Sequence, residues 1–178
     1  MKVLAEAGAK EGHCVERTLD AAIGAWTRGE LTYYVRRSEA MENYPGVWSL
    51  FSERFDPDEV DPLDRADVQT VFQRMAGQRL GGGSVKVGRF LSARSRYTPS
   101  LACTVKLWMY EIALERDPDL NPDFYSDGAW LTDNDFRQRA EAVPCGMCTL
   151  MWSDYRKRLG FITEPLTVLD RAVDDDVG

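Results

Sequence analysis

AAIGAWTRGELTYYVRRSEAMENYPGVWSLFSERFDPDE, residues 21–59, carries the alternation on which the fold reading turns. Leu19–Thr27 is apolar and strand-like through Ala21, Ala22, Ile23, Ala25 and Trp26, and Leu31–Arg37 answers as a second strand through Leu31, Tyr33, Tyr34 and Val35. Arg28-Gly29-Glu30 reads as the tight turn of a hairpin, with Gly29 suited to the positive φ such a turn requires. The second strand ends on Arg36-Arg37. A loop over Ser38–Gly46 follows, broken by Pro45 and Gly46, and Gly46–Ser52 fits a short third strand before an acidic run.

Beyond this stretch, Asp61–Leu80 is predicted to be helical, with Asp61 as N-cap and Pro62 in the first helical position. Val68, Val71, Phe72, Met75 and Leu80 mostly share one face at helical spacing, and Gly81-Gly82-Gly83 ends the helix. Ser84–Ala93 and Leu101–Leu114 read as long strands, and Asp117–Gly128 as an acidic loop. Asp133–Ala142 is a short helix with Asp133 in capping position, and Cys145–Leu159 a final helix after Pro144. Antiparallel strands interspersed with a few helices imply an α+β layered domain. All 178 residues are expected in one domain, with residues 1–18 an N-terminal extension and 165–178 a flexible acidic tail.

An apolar fraction of 44% and an aromatic fraction of 11% are those of a soluble globular protein. No apolar run approaches the roughly 18–20 residues that span a bilayer, and Met1–Lys10 lacks the core of a secretory signal. A cytoplasmic protein with reduced thiols at Cys14, Cys103, Cys145 and Cys148 is expected. The net charge of −7 argues against broad nucleic-acid binding. Local basic patches, Arg36-Arg37 and Arg89/Arg94/Arg96, could still hold one small phosphorylated molecule.

Strand, hairpin, strand, Arg36-Arg37, a loop, Gly46-Val47-Trp48, an acidic run and, much later, Trp130-Leu131-Thr132-Asp133 stand in an order that resembles the Nudix superfamily over residues 19–160. Members of that superfamily cleave or bind compounds in which a nucleoside diphosphate is linked to another group. The resemblance implies a mixed sheet sandwiched between helices, a small nucleotide-like partner and the possibility of a homodimer. It also implies a motif of Gly, five residues, Glu, seven residues, then Arg-Glu-apolar-x-Glu-Glu-x-Gly, whose carboxylates hold Mg or Mn. Aligned from its end, the motif places Arg74 and Gly81 at the Arg and the last Gly, and Met75, Gln78 and Arg79 at the three Glu positions. Aligned from Trp48, it puts Glu53 at the first Gly and Glu59 at the first Glu, and the two registers disagree. A cation where a metal ligand should stand repels a divalent ion. The expectation is therefore a divergent Nudix-like protein that binds a nucleotide-like or pathway-specific ligand, its metal-dependent hydrolysis lost or altered. Position in that frame makes Tyr34, Arg36, Arg37, Trp48, Arg74 and Trp130 the ligand-binding candidates.

Two alternatives stay open on the same scaffold. A working hydrolase could use displaced carboxylates, Glu53, Glu59, Asp64, Asp67 and Glu111, with Mg or Mn; Asp64 and Asp67 are three apart and could face one ion. The competing reading of that pair is a helix start matched to its dipole. Cys145-Gly-Met-Cys148 could supply a reactive thiolate at a helix N-terminus, or zinc ligands completed by His13, Cys14 or Cys103, or simply buried thiols. A Nudix-related isomerase of isopentenyl diphosphate fits poorly, since it needs several histidines and His13 is the only one.

Overall fold

Strand β1 (Thr18–Ala25) is buried on both faces from Ala22 onward, so it cannot be the outer half of a simple hairpin. In the computed structural model, which describes residues 17–56, 61–98, 101–142 and 145–162, it lies between two partners. It pairs antiparallel with β5 (Phe51–Arg54) and parallel with β7 (Cys103–Leu114), and β6 (Val85–Thr98) completes the order β5-β1-β7-β6. A second sheet joins β2 (Thr27–Arg28), β3 (Leu31–Arg37) and β4 (Trp48–Ser49), with β8 (Tyr125–Leu131) on the other side of β3. The expected hairpin is thus divided: the chain passes from one sheet to the other at Trp26, and only Thr27 and Arg28 pair with β3. Gly29 does adopt a positive φ, of 59°. The expected third strand divides in the same way at Leu50, β4 going to β3 and β5 to β1.

Three helices flank this pair of sheets: α1 (Arg65–Arg79), α2 (Asp133–Ala142) and α3 (Met147–Arg158). Helix α1 buries Val68, Val71, Phe72 and Met75 against Ala22, Val85, Val87 and Ile112 of the first sheet. On the opposite side, Ile23 and Met109 meet Phe136 of α2 and Met151 and Trp152 of α3. The architecture is α+β, with a mixed sheet between helices as expected. Among the described residues, no helix is long and apolar enough to cross a membrane.

Helix ends correct three expectations. The N-cap of α1 is Asp64, whose carboxylate accepts from the amides of Ala66 (2.7 Å) and Asp67 (3.3 Å); Asp61 instead closes a turn by accepting from Leu63 N at 2.9 Å. The cap of α2 is Thr132. Its Oγ1 accepts from Asp135 N at 3.1 Å while its own amide donates to the Asp135 carboxylate at 3.4 Å, the reciprocal pattern of a capping box. Helix α3 begins at Met147, which leaves Cys145 outside it, bridged to Trp48. Strand β8 falls partly in what reads as loop, because its Ser, Asp and Gly disguise the period. Gly128 is required there: a Cβ would stand 2.6 Å from the Tyr33 hydroxyl.

Helix α1 also seals part of a sheet edge. Gln69 bonds the carbonyl of Val85 and the amide of Val87, while Gln73 bonds the Val85 amide and the Gly83 carbonyl. Two side chains thereby occupy backbone groups of Gly83, Val85 and Val87 on an edge that would otherwise be open for pairing. The expected N-terminal extension and acidic tail fall almost wholly outside the described residues.

Candidate functional site

Alternation along a strand puts every second residue on the same face, and β1 uses this to make two different surfaces. Ala22 faces α1, whereas Leu19 and Ala21 face the other way, beside Val105 and Leu107 of β7. Helices α2 and α3 cover that second face only at the Ile23 end. What they leave uncovered is a cleft of about 540 Å³, floored by Leu19, Ala21, Val105 and Leu107. The loop between β3 and β4 (Met41, Asn43, Tyr44), Cys145 just before α3 and the start of α3 (Met147, Cys148) form its walls. Tyr44 is held at φ 54°, a left-handed conformation that a bulky side chain rarely adopts.

Five arginines line the cleft: Arg37, Arg54, Arg79, Arg94 and Arg96. Arg54, Ala21, Leu107 and Arg94 stand in one cross-strand row, and Leu19, Val105 and Arg96 in the next. The floor is thus apolar, with a guanidinium on each flank. Arg37 and Arg79 join Arg54 at the β5 flank, close enough that their charges, after burial, hold the Arg37 guanidinium below its ordinary pKa. Arg36 and Arg37 are successive strand residues and point to opposite faces, with β8 slipping by one residue, Ser126, opposite them. Arg37 donates twice to the Asn43 carbonyl (3.1 and 2.9 Å), and Arg36 to the Gly46 carbonyl (3.0 Å), so both arginines hold the wall loop.

The carboxylates of the cleft are already engaged or peripheral. Asp20 accepts from Trp108 Nε1 at 2.6 Å. Glu53, which is 8% exposed, lies 2.7 Å from Arg79 Nη2 and 3.9 Å from Arg74 Nη2. The closer contact is out of line for a hydrogen bond: Glu53 Oε2 and Arg79 Nε are both buried without hydrogen-bond partners, as is the Tyr125 hydroxyl. Burial pushes the Glu53 carboxyl above its usual range, against the opposing pull of Arg79 and then Arg74. Burial likewise raises Tyr125, against Arg79 and Arg37. Orphaned buried donors and acceptors each cost about 1–3 kcal/mol, so this corner stores unsatisfied polar capacity beside a solvent-filled cleft.

The sequence candidates scatter. Arg37 is in the cleft and Arg74 stands behind it, bound to Glu53, Asp56 and the Arg54 carbonyl. Cys145 and Cys148 lie in the wall. Tyr34 is core, stacked on Phe136 with ring centroids 3.9 Å apart, and Trp48 is buried under α2 and α3. Trp130 packs on Trp26 and Tyr33 with Arg28 above its ring, away from the cleft. Glu111 is an exposed partner of Arg89 at 2.8 Å. Asp64 caps α1 and Asp67 accepts from Asp61 N, at the end of the helix opposite Arg79, about 22 Å and about 18 Å away at 1.5 Å per residue. Glu59 and His13 and Cys14 lie outside the described residues. Arg54 and the Glu53–Arg79 contact escape a linear reading, since neither has a partner nearby in sequence; the strand register alone brings them to the cleft.

Mg or Mn is the group that the fold implies, and the residues at the box positions do not fit it. Met75 is fully buried in the α1 core, Gln78 offers an amide, and Arg79 places a guanidinium against Glu53. Among the described residues, no three or more His, Cys, Asp or Glu converge on a metal position. The thiols fit zinc no better on this geometry: Cys148 Sγ is within 3.2 Å of Ser49 Oγ and accepts from Leu50 N, and burial pushes Cys145 up to about 12, with Cys148 adding to the rise.

No family model matches the chain, and no curated protein does. Solved structures match it in shape. A MutT NUDIX hydrolase from Burkholderia pseudomallei aligns over 67% of this chain and 87% of its own, at 18% identity and a TM-score of 0.54. A MutT protein from Methanosarcina mazei Go1 aligns over 83% and 96%, at 13% identity and 0.60. A NUDIX hydrolase from Alicyclobacillus acidocaldarius aligns over 79% and 92%, at 12% identity and 0.61. The chain has the Nudix fold, at the low identity of a divergent sequence.

Proposed function

We propose that this protein binds a small phosphorylated, nucleotide-like ligand in the arginine cleft without a divalent metal, the fold's usual pyrophosphohydrolase chemistry being lost or altered. The observation that carries the reading is Arg79. It stands at a box position where the resemblance calls for a metal-binding Glu, lines the cleft, and keeps a buried Nε–H with no acceptor. A phosphate oxygen would satisfy that donor and accept from the neighbouring Arg37 and Arg54, a charge-assisted arrangement for which the guanidinium fork is suited. The fixed cation then does for the ligand's charge what a bound metal would do elsewhere.

Titration calorimetry with inorganic pyrophosphate and with ADP, in chelator and in Mg²⁺, tests this. Binding should be equal in both buffers, and Arg79→Gln should weaken it about tenfold, the worth of one charge-assisted bond. Arg79→Lys keeps the charge beside Glu53 but removes the fork, and should also weaken binding. Binding or cleavage that requires Mg²⁺ would instead favour the second reading, a hydrolase with displaced carboxylates. That alternative draws support from the unsatisfied Glu53 Oε2, an oxygen ligand in reserve.

A further inference from the structure

The cleft's charges are divided between two flanks, and the division says more than their number. Crossing the floor from β5 to β6 passes Arg54, Ala21, Leu107 and Arg94. Three strand steps of about 4.8 Å separate the outer Cα atoms by about 14 Å. No charged side chain intervenes on the rows that form the floor: Ala21 and Leu107 fill one, Leu19 and Val105 the next. At the β5 flank, Arg37 and Arg79 reinforce Arg54. At the β6 flank, Arg96 follows Arg94 by two residues and so shares its face. Asp154 of α3 holds Arg94 Nη2 at 2.7 Å and Nη1 reaches Met147 Sδ at 4.0 Å, which fixes the guanidinium at the rim of the cleft. A phosphate at the β5 flank alone would reach neither Arg94 nor Arg96 across the apolar floor.

We propose, building on the reading above, that the occupant is an elongate molecule anionic at both ends: a phosphate or pyrophosphate against Arg37, Arg54 and Arg79, an apolar or ring-like middle over Ala21 and Leu107, and a second anionic group against Arg94 and Arg96. Arg94 and Arg96 are then the residues that select ligand length. The second group is a phosphate or a carboxylate, both of which a guanidinium receives in the same fork geometry.

A ruler series decides it. Alkane-α,ω-diol bisphosphates of increasing length, the matched alkyl monophosphates and matched phosphate–carboxylate compounds are titrated calorimetrically in chelator. One length of bisphosphate should bind at least about tenfold tighter than its monophosphate, since each charge-assisted contact is worth that much. The gain should vanish in Arg94→Gln/Arg96→Gln, so that bisphosphate and monophosphate of that length bind alike. Arg96→Gln alone, which leaves the Arg94–Asp154 pair in place, should remove part of it. A carboxylate arm that reproduces the gain assigns the second group as carboxylate, and its failure assigns phosphate. Monophosphates that bind with no gain at any length, or a gain that survives the double variant, overturn the two-ended ligand and leave metal-free anion binding standing. If monophosphates, bisphosphates and pyrophosphate all fail to bind, both readings fall.

Discussion

The two faces of the first sheet come from the same strands, one residue out of step, and they have opposite characters. Toward α1, β1 presents Ala22 and Gly24, and the space is full: a Cβ on Gly24 would meet Ile112 Cδ1 at 2.6 Å and Phe72 Cε1 at 2.9 Å. Toward the cleft, Leu19, Ala21, Val105 and Leu107 remain half-buried under solvent. Apolar side chains on both faces would favour closing both. The difference lies at the flanks, where the cleft face carries arginines on β5 and β6 while the α1 face is bounded by the glutamines that seal β6. Burying charged guanidinium groups, even those paired as Arg79 is with Glu53 and Arg94 with Asp154, costs more than the floor would gain, so the second face stays open.

The largest expected effect is a contrast between those faces. Phe72→Ala removes a fully buried ring from the α1 core and should cost about 3–5 kcal/mol. Leu107→Ala, on the half-buried floor, should cost less than half of that while weakening the ligand with the apolar middle. Urea denaturation midpoints measure the first, calorimetry the second. Equal losses of stability would mean that the cleft face is core after all.

A gentler version adds volume instead of removing it. Gly24→Ala forces the Ile112 and Phe72 contacts and should cost about 1–3 kcal/mol, read in the same denaturation experiment. Ala21→Ser, one face over, should fall within about 0.5 kcal/mol of the parent. A harmless Gly24→Ala would show that α1 can step back from the sheet.

Much of this contrast was legible in the sequence, and its limits are physical. Val68, Val71, Phe72 and Met75 announce the α1 core because a helix face depends only on local spacing, and Asp133–Ala142 matches α2 for the same reason. The division of residues 19–37 and 46–54 between two sheets is not local: Trp26 and Leu50 look like strand interior until β5 and β7 claim β1. Ring-bearing candidates failed to gather for a related cause. Tyr34, Trp48 and Trp130 have faces that suit a nucleobase and suit Phe136, α3 or Trp26 equally well, and residue type does not say which partner arrives. Of the arginines at the cleft, Arg37, Arg94 and Arg96 stand in basic patches visible in the sequence, whereas Arg54 and Arg79 are single letters that only the folded chain brings beside them.

The cleft wall offers a smaller test. Helix starts lower thiol pKa values, yet Cys145 precedes α3 and is buried, which pushes it up to about 12. Iodoacetamide at neutral pH should therefore modify Cys145 far more slowly than an exposed thiol, with peptide mass spectrometry as the readout. Rapid alkylation would revive the thiol reading of the CxxC pair and would mean that the wall opens.

The smallest effect concerns the boundary between the faces, where Glu53 sits among Arg74, Arg79 and Tyr125. Burial raises its carboxyl above the ordinary value of 4.5, more than the two arginines lower it. The folded chain therefore holds this proton more tightly than the unfolded chain does. Stability from the group is complete below the unfolded pKa and is lost as pH rises through the higher folded value. Glu53→Gln has no such proton, so the Tm of the parent relative to the variant should decline as pH climbs from below 4.5 into the mildly acidic range. A parent advantage that grows with pH would reverse the sign and make the Arg79 contact a net ion pair. The arginine would then be spent on Glu53 instead of held for a ligand, and the case for an internal cation in the metal's place would weaken with it.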